Sequence, residues 1–416
     1  MHPRAGFEGP SRRFAQVKLR QWIPGVGLVV AVLAGVVLRL LPGCGGAYGY
    51  DCDQSWMFTH TQAVRASGQI PTLGMSTSLG IPNFPLSVWV FDLPTILFGI
   101  DNPIGLARLV EVCSIAAILI FSWFSLKRVN AEEREPWLWA VALASVNPMV
   151  VFFQQKIWAQ SMVPLPAVLM LICWWRRERF WAAFLWGFLG ILTGQVHLSG
   201  FFLVAGFISW VLIFDRRHFS WTGWFLGCLI AAIPMIPWLR ELLAGGWHFT
   251  RAPFKWWRIF ELKFWIYWVT EPLGIGLHDD LRKQYVDFLG FPRVGTIRTW
   301  LGLGLHVIVS CIGVAILIRA LTYWVQNRAA CFSTWRGTQP MTLFTLRAAF
   351  WGAGLAFTIS GIRIARQYLY ITFPLTLVWV GWLTLLPPSR YTNRVLLLGL
   401  CAAEFLLSVL FFYYYH

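Results

Sequence analysis

Two closely spaced aspartates offer acid–base chemistry in a chain where acids are scarce. Asp51 and Asp53 stand in the stretch Tyr50–Ile70, directly after the first hydrophobic run, and the chain has 34 Lys and Arg against 18 Asp and Glu. A partly desolvated carboxylate can take a proton from an attacking hydroxyl, and two neighbouring acids can raise one pKa. The structural alternative is that Asp53 caps a helix predicted over Gln54–Ser67, which ends before Gly68.

One histidine and four cations are candidates to bind an anionic group near these acids: Lys156, His197, Arg108, Arg363 and Arg366. Positive charge there would stabilise a bound anion or negative charge that develops in a reaction. Each has a structural alternative. Lys156 and Arg108 can snorkel to a membrane interface, and Arg108 can pair with Glu111 one turn on. His197 can be a hydrogen-bonded loop residue, and the two late arginines can be interface anchors.

The composition determines which elements must position these residues. Of 416 residues, 57% are hydrophobic and 12% charged, against about 25% charged in an ordinary soluble domain. Runs of about 20 apolar residues recur, and helices satisfy their own backbone in lipid. We therefore predict an all-α polytopic membrane protein, whose 26 Trp and 11 Tyr suit interfacial belts. The net charge of +16 does not indicate nucleic acid, because the basic residues form short clusters between hydrophobic runs.

About eleven membrane spans are predicted. They are Trp22–Leu41, Ile104–Leu126, Trp137–Phe153, Met162–Trp175, Phe180–Val196, Leu198–Phe214, Trp221–Trp238, Trp300–Leu321, Met341–Ser360, Tyr368–Leu386 and Val395–Phe412. The first run is longer than a signal-peptide core and has no clear cleavage site, so it is predicted to remain as the first span.

The stretch Phe84–Ile100 is ambiguous, because Asp92 and Pro94 interrupt it. If it does not span, the later basic clusters fall on the same side as the basic N-terminus, as the positive-inside rule requires. We therefore predict a re-entrant or interfacial helix. The N-terminus is then cytoplasmic, and two large segments, 42–103 and 240–298, face the outside.

Cysteine usage indicates no metal site. The eight Cys are dispersed and show no Cys/His metal spacing. Cys44 and Cys52 both fall in the first outer segment, where an oxidising compartment would permit a bridge between them. The two neighbouring aspartates alone do not make a well-formed divalent-cation site without waters or substrate oxygens.

Several motifs occur in a fixed order along the chain. They are Asp53 followed by a helix to Gly68, then Pro85–Trp89, Arg108 within Gly105–Leu109, Asn147–Met149, Phe152–Trp158, Gly190–His197, and Arg366–Leu369 followed by Pro374. In this order they resemble the membrane-embedded glycosyltransferases of the C superfold. The resemblance is to the bacterial branch with the aminoarabinose transferase of lipid A and the relatives of protein O-mannosyltransferases. It covers about the first 240 residues well and the remainder loosely.

The resemblance implies a function and assigns roles. The outer-loop aspartate of that family is the base that deprotonates the acceptor hydroxyl, which matches Asp53 best and Asp51 second. The implied donor is a sugar on a polyprenyl phosphate, and the acceptor is a glycan, lipid or protein. The implied location is a bacterial inner membrane, with the site facing the periplasm or exterior.

The resemblance also implies a division of the chain into residues 1–240 as the glycosyltransferase core, 241–298 as a second outer segment and 299–416 as C-terminal helices. The chain departs from the family in one stretch. Some relatives carry a second acid after the third span, whereas Gln154–Ser161 has none. We therefore expect no cofactor and no required metal.

Two other function classes fit the same sequence. A flippase or transporter for lipid-linked sugars would share the spans and the basic lipid contacts, but no inverted-repeat pattern is visible. A membrane scaffold without catalysis is the third class. The sequence leaves open the sugar, the acceptor, the prenyl chain length and the oligomeric state.

Overall fold

The computed structural model describes residues 25–45, 52–76, 82–153, 155–244, 256–277, 281–328, 338, 340–387 and 390–415. Over these residues the chain is helical apart from one isolated bridge, Ser76 to Pro82, and one hairpin of two-residue strands, β1 (Arg293–Val294) and β2 (Ile297–Arg298). The second candidate base, Asp51, and the side chains of Cys44 and Cys52 lie outside the described residues.

The helices follow one another as α1 (Gly25–Gly45), α2 (Cys52–Ser67), α3 (Leu86–Phe98), α4 (Pro103–Lys127), α5 (Arg134–Val146), α6 (Pro148–Phe153), α7 (Pro164–Trp174), α8 (Phe180–Val196), α9 (Ser199–Phe214), α10 (Trp221–Ala231), α11 (Ile236–Leu243), α12 (Lys263–Thr270), α13 (Tyr285–Gly290), α14 (Leu301–Gln326), α15 (Met341–Arg347), α16 (Gly354–Ile359), α17 (Leu375–Thr384) and α18 (Arg390–Tyr415). A π-helical segment, Ala348–Ala353, joins α15 to α16, and 3-10 turns cover Ala159–Met162, Ile233–Met235 and Arg366–Thr372.

Within the described residues, five helical stretches are long and apolar enough to cross a membrane: Pro103–Lys127, Trp221–Leu243, Leu301–Gln326, Met341–Ile359 and Tyr391–Tyr414. Further apolar helices of 10–17 residues accompany them, including Phe180–Val196 and Ser199–Phe214. These helices make the chain a multi-pass membrane protein, as its composition predicts.

Prolines interrupt the α-helix in two of the predicted spans. The run predicted over Trp137–Phe153 breaks at Asn147, whose backbone is extended (φ −60°, ψ 126°). The residue before a proline is disfavoured in the helical region, and Pro148 then begins α6. In the second span, the 3-10 turn around Pro234 lies between α10 and α11, within the continuous helical stretch Trp221–Leu243.

The ambiguous stretch Phe84–Ile100 forms α3, which has 13 residues and contains Pro94. At 1.5 Å per residue it extends about 20 Å, short of a hydrocarbon core of about 30 Å. It ends at Gly99, which has a left-handed backbone (φ 65°). Because α5, which belongs to a predicted span, also has 13 residues, the re-entrant or interfacial placement of α3 stays a prediction.

A small hydrophobic core, separate from the large core of the bundle, attaches α2 to the rest of the chain. Its buried members are Met57 of α2, Val88 and Phe91 of α3, Leu106, Ala107 and Val110 of α4, and Ile157. Met57 is 3% exposed and Ile157 is fully buried. Because Met57 follows Asp53 by one helical turn, this core determines where the predicted base lies.

Candidate active site

Asp53 lies in the first turn of α2, with an exposed side chain. The helix ends at Ser67, where Gly68 takes a left-handed backbone (φ 69°) and donates its N–H to Val64 O at 2.9 Å. The C-terminal end therefore agrees with the sequence-based expectation, whereas Asp53 lies inside the helix, which already includes Cys52, and so is not its N-cap. Its first turn contacts a distant segment as well, because Gln54 Oε1 accepts the N–H of Ile157 at 3.0 Å.

The connection from α2 to α3 folds back towards Asp53. Gly74 donates its N–H to Asn83 O at 2.8 Å, and Asn83 donates its N–H to Met75 O at 3.0 Å. A Cβ atom on Gly74 would lie 2.4 Å from Phe84 O, so only glycine fits this close approach. Trp238 Nε1 donates to Pro82 O at 3.0 Å, which secures the connection to α11.

His197 occupies the tight turn between α8 and α9. Its N–H is donated to Thr193 O at 2.9 Å, and its Nδ1 lies 2.6 Å from Ser199 Oγ. Its ring meets the ring of Tyr368 edge to face, with the centroids 4.8 Å apart. Burial lowers the pKa of His197 to about 4, so the imidazole is neutral at pH 7. A neutral imidazole can act here as a hydrogen-bonding group rather than as a cation.

These elements enclose a cavity of about 340 Å³. Its polar lining includes Asp53, Ser76, Asn83, Gln160, His197 and Ser199, and its aromatic lining consists of Trp158, Phe202 and Tyr368. The structure thus brings together two residues that the sequence analysis singled out, Asp53 and His197, although 144 positions separate them. Among the described lining residues, Asp53 is the one that is charged at neutral pH.

Lys156 lies beside the cavity wall. Its Nζ is 4.3 Å from the centroid of the Trp158 ring and 4.4 Å from that of Phe152, and the side chain is half-buried. Cation–π contact of this kind holds an ammonium group against aromatic faces. Trp158 also lines the cavity, whereas Lys156 itself is not among the lining residues.

The three predicted arginines lie outside this lining. Arg366 Nη1 pairs with Glu271 Oε1 at 2.6 Å, and its guanidinium carbon lies 4.8 Å above the centroid of the Tyr267 ring. Arg363 is exposed and directly follows Ile362, which lines the cavity. Arg108 is exposed on α4.

The sequence analysis missed several lining side chains, among them Asn83, Gln160 and Ser199. The amides stand in short connections that show no hydrophobic period, so no local pattern singled them out. Ser199 had a signal, because it stands two residues after His197 in the turn between two predicted spans.

Within the described residues, no three His, Cys, Asp or Glu side chains group together as metal ligands. The cavity lining offers one carboxylate and one imidazole. Independence of a metal therefore stays a prediction, to be tested with the purified protein.

Comparisons with known proteins give one structural likeness. No protein-family model matches the chain, and no curated protein matches it. A crystal structure of the Archaeoglobus fulgidus oligosaccharyltransferase in the apo form is similar, with a TM-score of 0.46 and 12% sequence identity. The alignment covers 94% of this chain and 56% of that protein, so this chain spans little more than half its length. A likeness at this level establishes neither a shared fold nor a shared activity.

Proposed function

We propose that the protein is a membrane glycosyltransferase that moves a sugar from a polyprenyl phosphate to an acceptor hydroxyl. One observation carries the proposal: Asp53 and His197 line the same cavity, together with amide, hydroxyl and aromatic side chains. Few, well-placed polar groups orient a ligand in a pocket, and aromatic rings provide contact area with defined geometry. A sugar presents both hydroxyl groups and flat C–H faces, and this lining suits both.

In the proposed reaction, the Asp53 carboxylate takes the proton of the acceptor hydroxyl. The acceptor oxygen forms a bond to the anomeric carbon, with inversion. The bond from that carbon to the phosphate oxygen breaks, and its electron pair leaves with the polyprenyl phosphate. Lys156 contacts Trp158 of the cavity lining and would stabilise the departing negative charge. His197 would donate or accept one hydrogen bond as a neutral group.

The remaining assignments follow from the same proposal. Asp51 is the second candidate base, and Arg108 and Arg363 are candidate phosphate ligands. Arg366 would have to leave Glu271 before it could bind phosphate. The acceptor is a glycan, lipid or protein. The division into a core over residues 1–240, a second outer segment over 241–298 and C-terminal helices over 299–416 belongs to this proposal too.

The proposed orientation is that of a bacterial inner-membrane protein with about eleven spans and a cytoplasmic N-terminus. The helix α8 has 17 residues and extends about 25 Å from Arg179 to His197. The basic clusters at 127–134, 176–179 and 216–217 lie at the helix ends opposite the cavity. Because positive charge favours the cytoplasmic side, Asp53 would face the periplasm or exterior.

The test compares purified wild type with Asp53→Asn in mild detergent. Lipids that co-purify are extracted and identified by mass spectrometry. Both proteins are then incubated with undecaprenyl-phosphate-linked glucose, mannose, galactose or aminoarabinose and with a membrane glycan and lipid extract. Release of free undecaprenyl phosphate is followed. A matched control is Asp101→Asn, an exposed acid in the same outer segment that is absent from the described cavity lining.

We expect Asp53→Asn to lower the rate by about 10²- to 10⁴-fold, the range for a positioned general base. The control should keep wild-type turnover, and donor lipid should still bind to all three proteins. Equal conversion by wild type and Asp53→Asn would remove Asp53 from catalysis. Bound lipid that is moved between leaflets of a vesicle but never converted would identify a flippase instead.

A further inference from the structure

We propose that Gln54 is a positioning residue, which holds the base Asp53 at a fixed position relative to the neighbouring Lys156–Trp158 segment. The proposal rests on the proposed function, since it assigns a partner role at the same site. It concerns a residue that does not line the cavity and that no sequence motif singled out.

Adjacent residues in the first turn of α2 point to different surroundings. Asp53 is exposed towards the cavity, whereas Gln54 is only 1% exposed. Consecutive residues on a helix project about 100° apart, so one side chain can face the substrate while the next enters the packed interior. Any movement of Gln54 therefore also moves the carboxylate beside it.

Gln54 makes a contact that spans 103 positions of the chain. Its Oε1 accepts the backbone N–H of Ile157 at 3.0 Å, in a buried environment. A backbone donor cannot swing to another rotamer, and a hydrogen bond shielded from water is stronger than an exposed one. An acceptor removed from a buried N–H leaves that group unsatisfied. The contact thus fixes the distance between the first turn of α2 and residue 157.

This hydrogen bond joins Gln54 to a segment, Lys156–Trp158, that contains two further residues of the proposed site. Ile157 is fully buried in the small core that also holds Met57. The residue before it is Lys156, and the residue after it is Trp158, whose ring lines the cavity and receives the Lys156 ammonium group. One hydrogen bond therefore couples the proposed base to the proposed cation and to one cavity wall.

The same helix contains a matched control. Gln62, eight residues later, also makes a 3.0 Å hydrogen bond from its side chain to a backbone group of another element, here from Nε2 to Ile100 O. That bond secures α2 to the connection after α3 and not to the cavity wall. Both glutamines attach α2 to its surroundings, and only Gln54 attaches it to the segment that borders the substrate space.

The experiment measures kcat and KM for the undecaprenyl-phosphate sugar that wild type turns over fastest in the assay above. The variants are Gln54→Met, Gln54→Asn and Gln54→Glu, with Gln62→Met and Gln62→Asn as controls. Methionine keeps the volume but offers no comparable acceptor, asparagine is one methylene too short, and glutamate keeps an oxygen at the end of the chain. Thermal unfolding and amide hydrogen exchange of peptides covering 52–58 and 155–162 are measured on each protein.

We expect Gln54→Met and Gln54→Asn to lower kcat by about 10²-fold, the scale of an ångström-sized misplacement of a catalytic group, with KM within about twofold. Exchange should rise in both peptides together. Gln54→Glu should recover most of kcat. The Gln62 variants should lower the unfolding temperature less, because Arg65 Nη1 also donates to Ile100 O at 3.3 Å, and leave kcat within about twofold.

If Gln54 has only a structural role, the Gln54 variants will lower the unfolding temperature but have the same kcat as the Gln62 variants. That result would overturn the proposal. If Gln54→Met does not purify as a folded protein, Gln54→Asn and Gln62→Asn decide the question by the same comparison. Failure of the proposed function looks different, because Asp53→Asn would then retain wild-type turnover. Loss of activity in Asp53→Asn with wild-type kcat in Gln54→Asn would overturn only the positioning role.

Discussion

Acids held by cations lie at both ends of the helical bundle, and at one end a further acid, Asp53, lines a cavity. At the end opposite the cavity, Asp215 and Glu135 are held by cations and Glu133 by the N-terminus of α15. Asp215 accepts hydrogen bonds from Arg177 and lies 2.8 Å from His218 Nδ1, and Arg394 Nε donates to Glu135 Oε1 at 2.6 Å. At the other end, Asp53 stands in the lining of a cavity of about 340 Å³.

What distinguishes Asp53 is that it lines a cavity, and not the side of the membrane on which it lies. The cavity end also contains a closed pair, Arg366 with Glu271, whose side chains are 11% and 10% exposed. A closed pair of this kind stabilises the fold only if both partners stay, because either charge alone is costly in a desolvated place. An acid beside a cavity can instead contact a ligand. A place in the lining of the 340 Å³ cavity therefore distinguishes Asp53, the proposed catalytic acid, from acids in closed ion pairs such as Glu271 and Asp215.

The largest effect is expected at the opposite end, from Arg177→Met. The substitution leaves Asp215, which is 5% exposed, without its guanidinium partner. Removing one member of a buried pair costs about 3–5 kcal/mol in the free energy of unfolding. Denaturant or thermal unfolding in detergent should show the loss. An unchanged stability would mean that the pair is solvated in the protein.

The next effect is at the cavity end, from Lys156→Gln. Loss of the charge beside the Trp158 ring should lower kcat by about 10²-fold, the scale seen when one donor to a developing anion is removed. Lys156→Arg keeps the charge and the contact with the Trp158 ring, so it should retain most of the activity. Equal activity in the two variants would exclude a charge effect.

A smaller effect is expected in the pH dependence of stability through His197. The unfolded residue takes up a proton near pH 6.5, whereas burial lowers the pKa of the folded residue to about 4. The unfolded state therefore binds more protons between these values, and wild type should lose stability relative to His197→Gln as pH falls from 7 to 5. Above pH 7 the difference in unfolding temperature should be constant. A constant difference down to pH 4 would show that the histidine is solvated.

The smallest effect is expected from Arg363→Gln. This side chain is exposed, so its attraction for a donor phosphate is screened by water and salt. The KM for the donor should rise less than about fivefold at low salt and return to the wild-type value at high salt. A large rise in KM that persists at high salt would place Arg363 in direct contact with the phosphate.

The sequence predicts local structure well wherever one hydrophobic run forms one helix. Phe180–Val196 has the predicted bounds, and the helix after Asp53 ends at Ser67 as expected. The break at Asn147–Pro148 was missed, because the apolar run continues through it and only the backbone preference of the residue before proline interrupts it.

The site is only partly predictable, because its partners are set by contacts between distant segments. The chemistry of Asp53 and His197 marks them in the sequence, but nothing local shows that they share a cavity. Arg366 was a candidate phosphate ligand because of its charge and its place in the motif Arg366–Leu369. Its partner Glu271 stands 95 positions earlier, and no pattern in the sequence connects the two.

The most direct test of the contrast between the two ends makes the same substitution at each, Asp53→Asn and Asp215→Asn, and measures kcat and the unfolding temperature of both proteins. The account predicts opposite results. Asp53→Asn should lose turnover by at least about 10²-fold and unfold near the wild-type temperature. Asp215→Asn should unfold at a clearly lower temperature, yet turn over donor at a rate close to wild type while folded. Loss of turnover in both variants, or wild-type turnover in Asp53→Asn, would contradict the account.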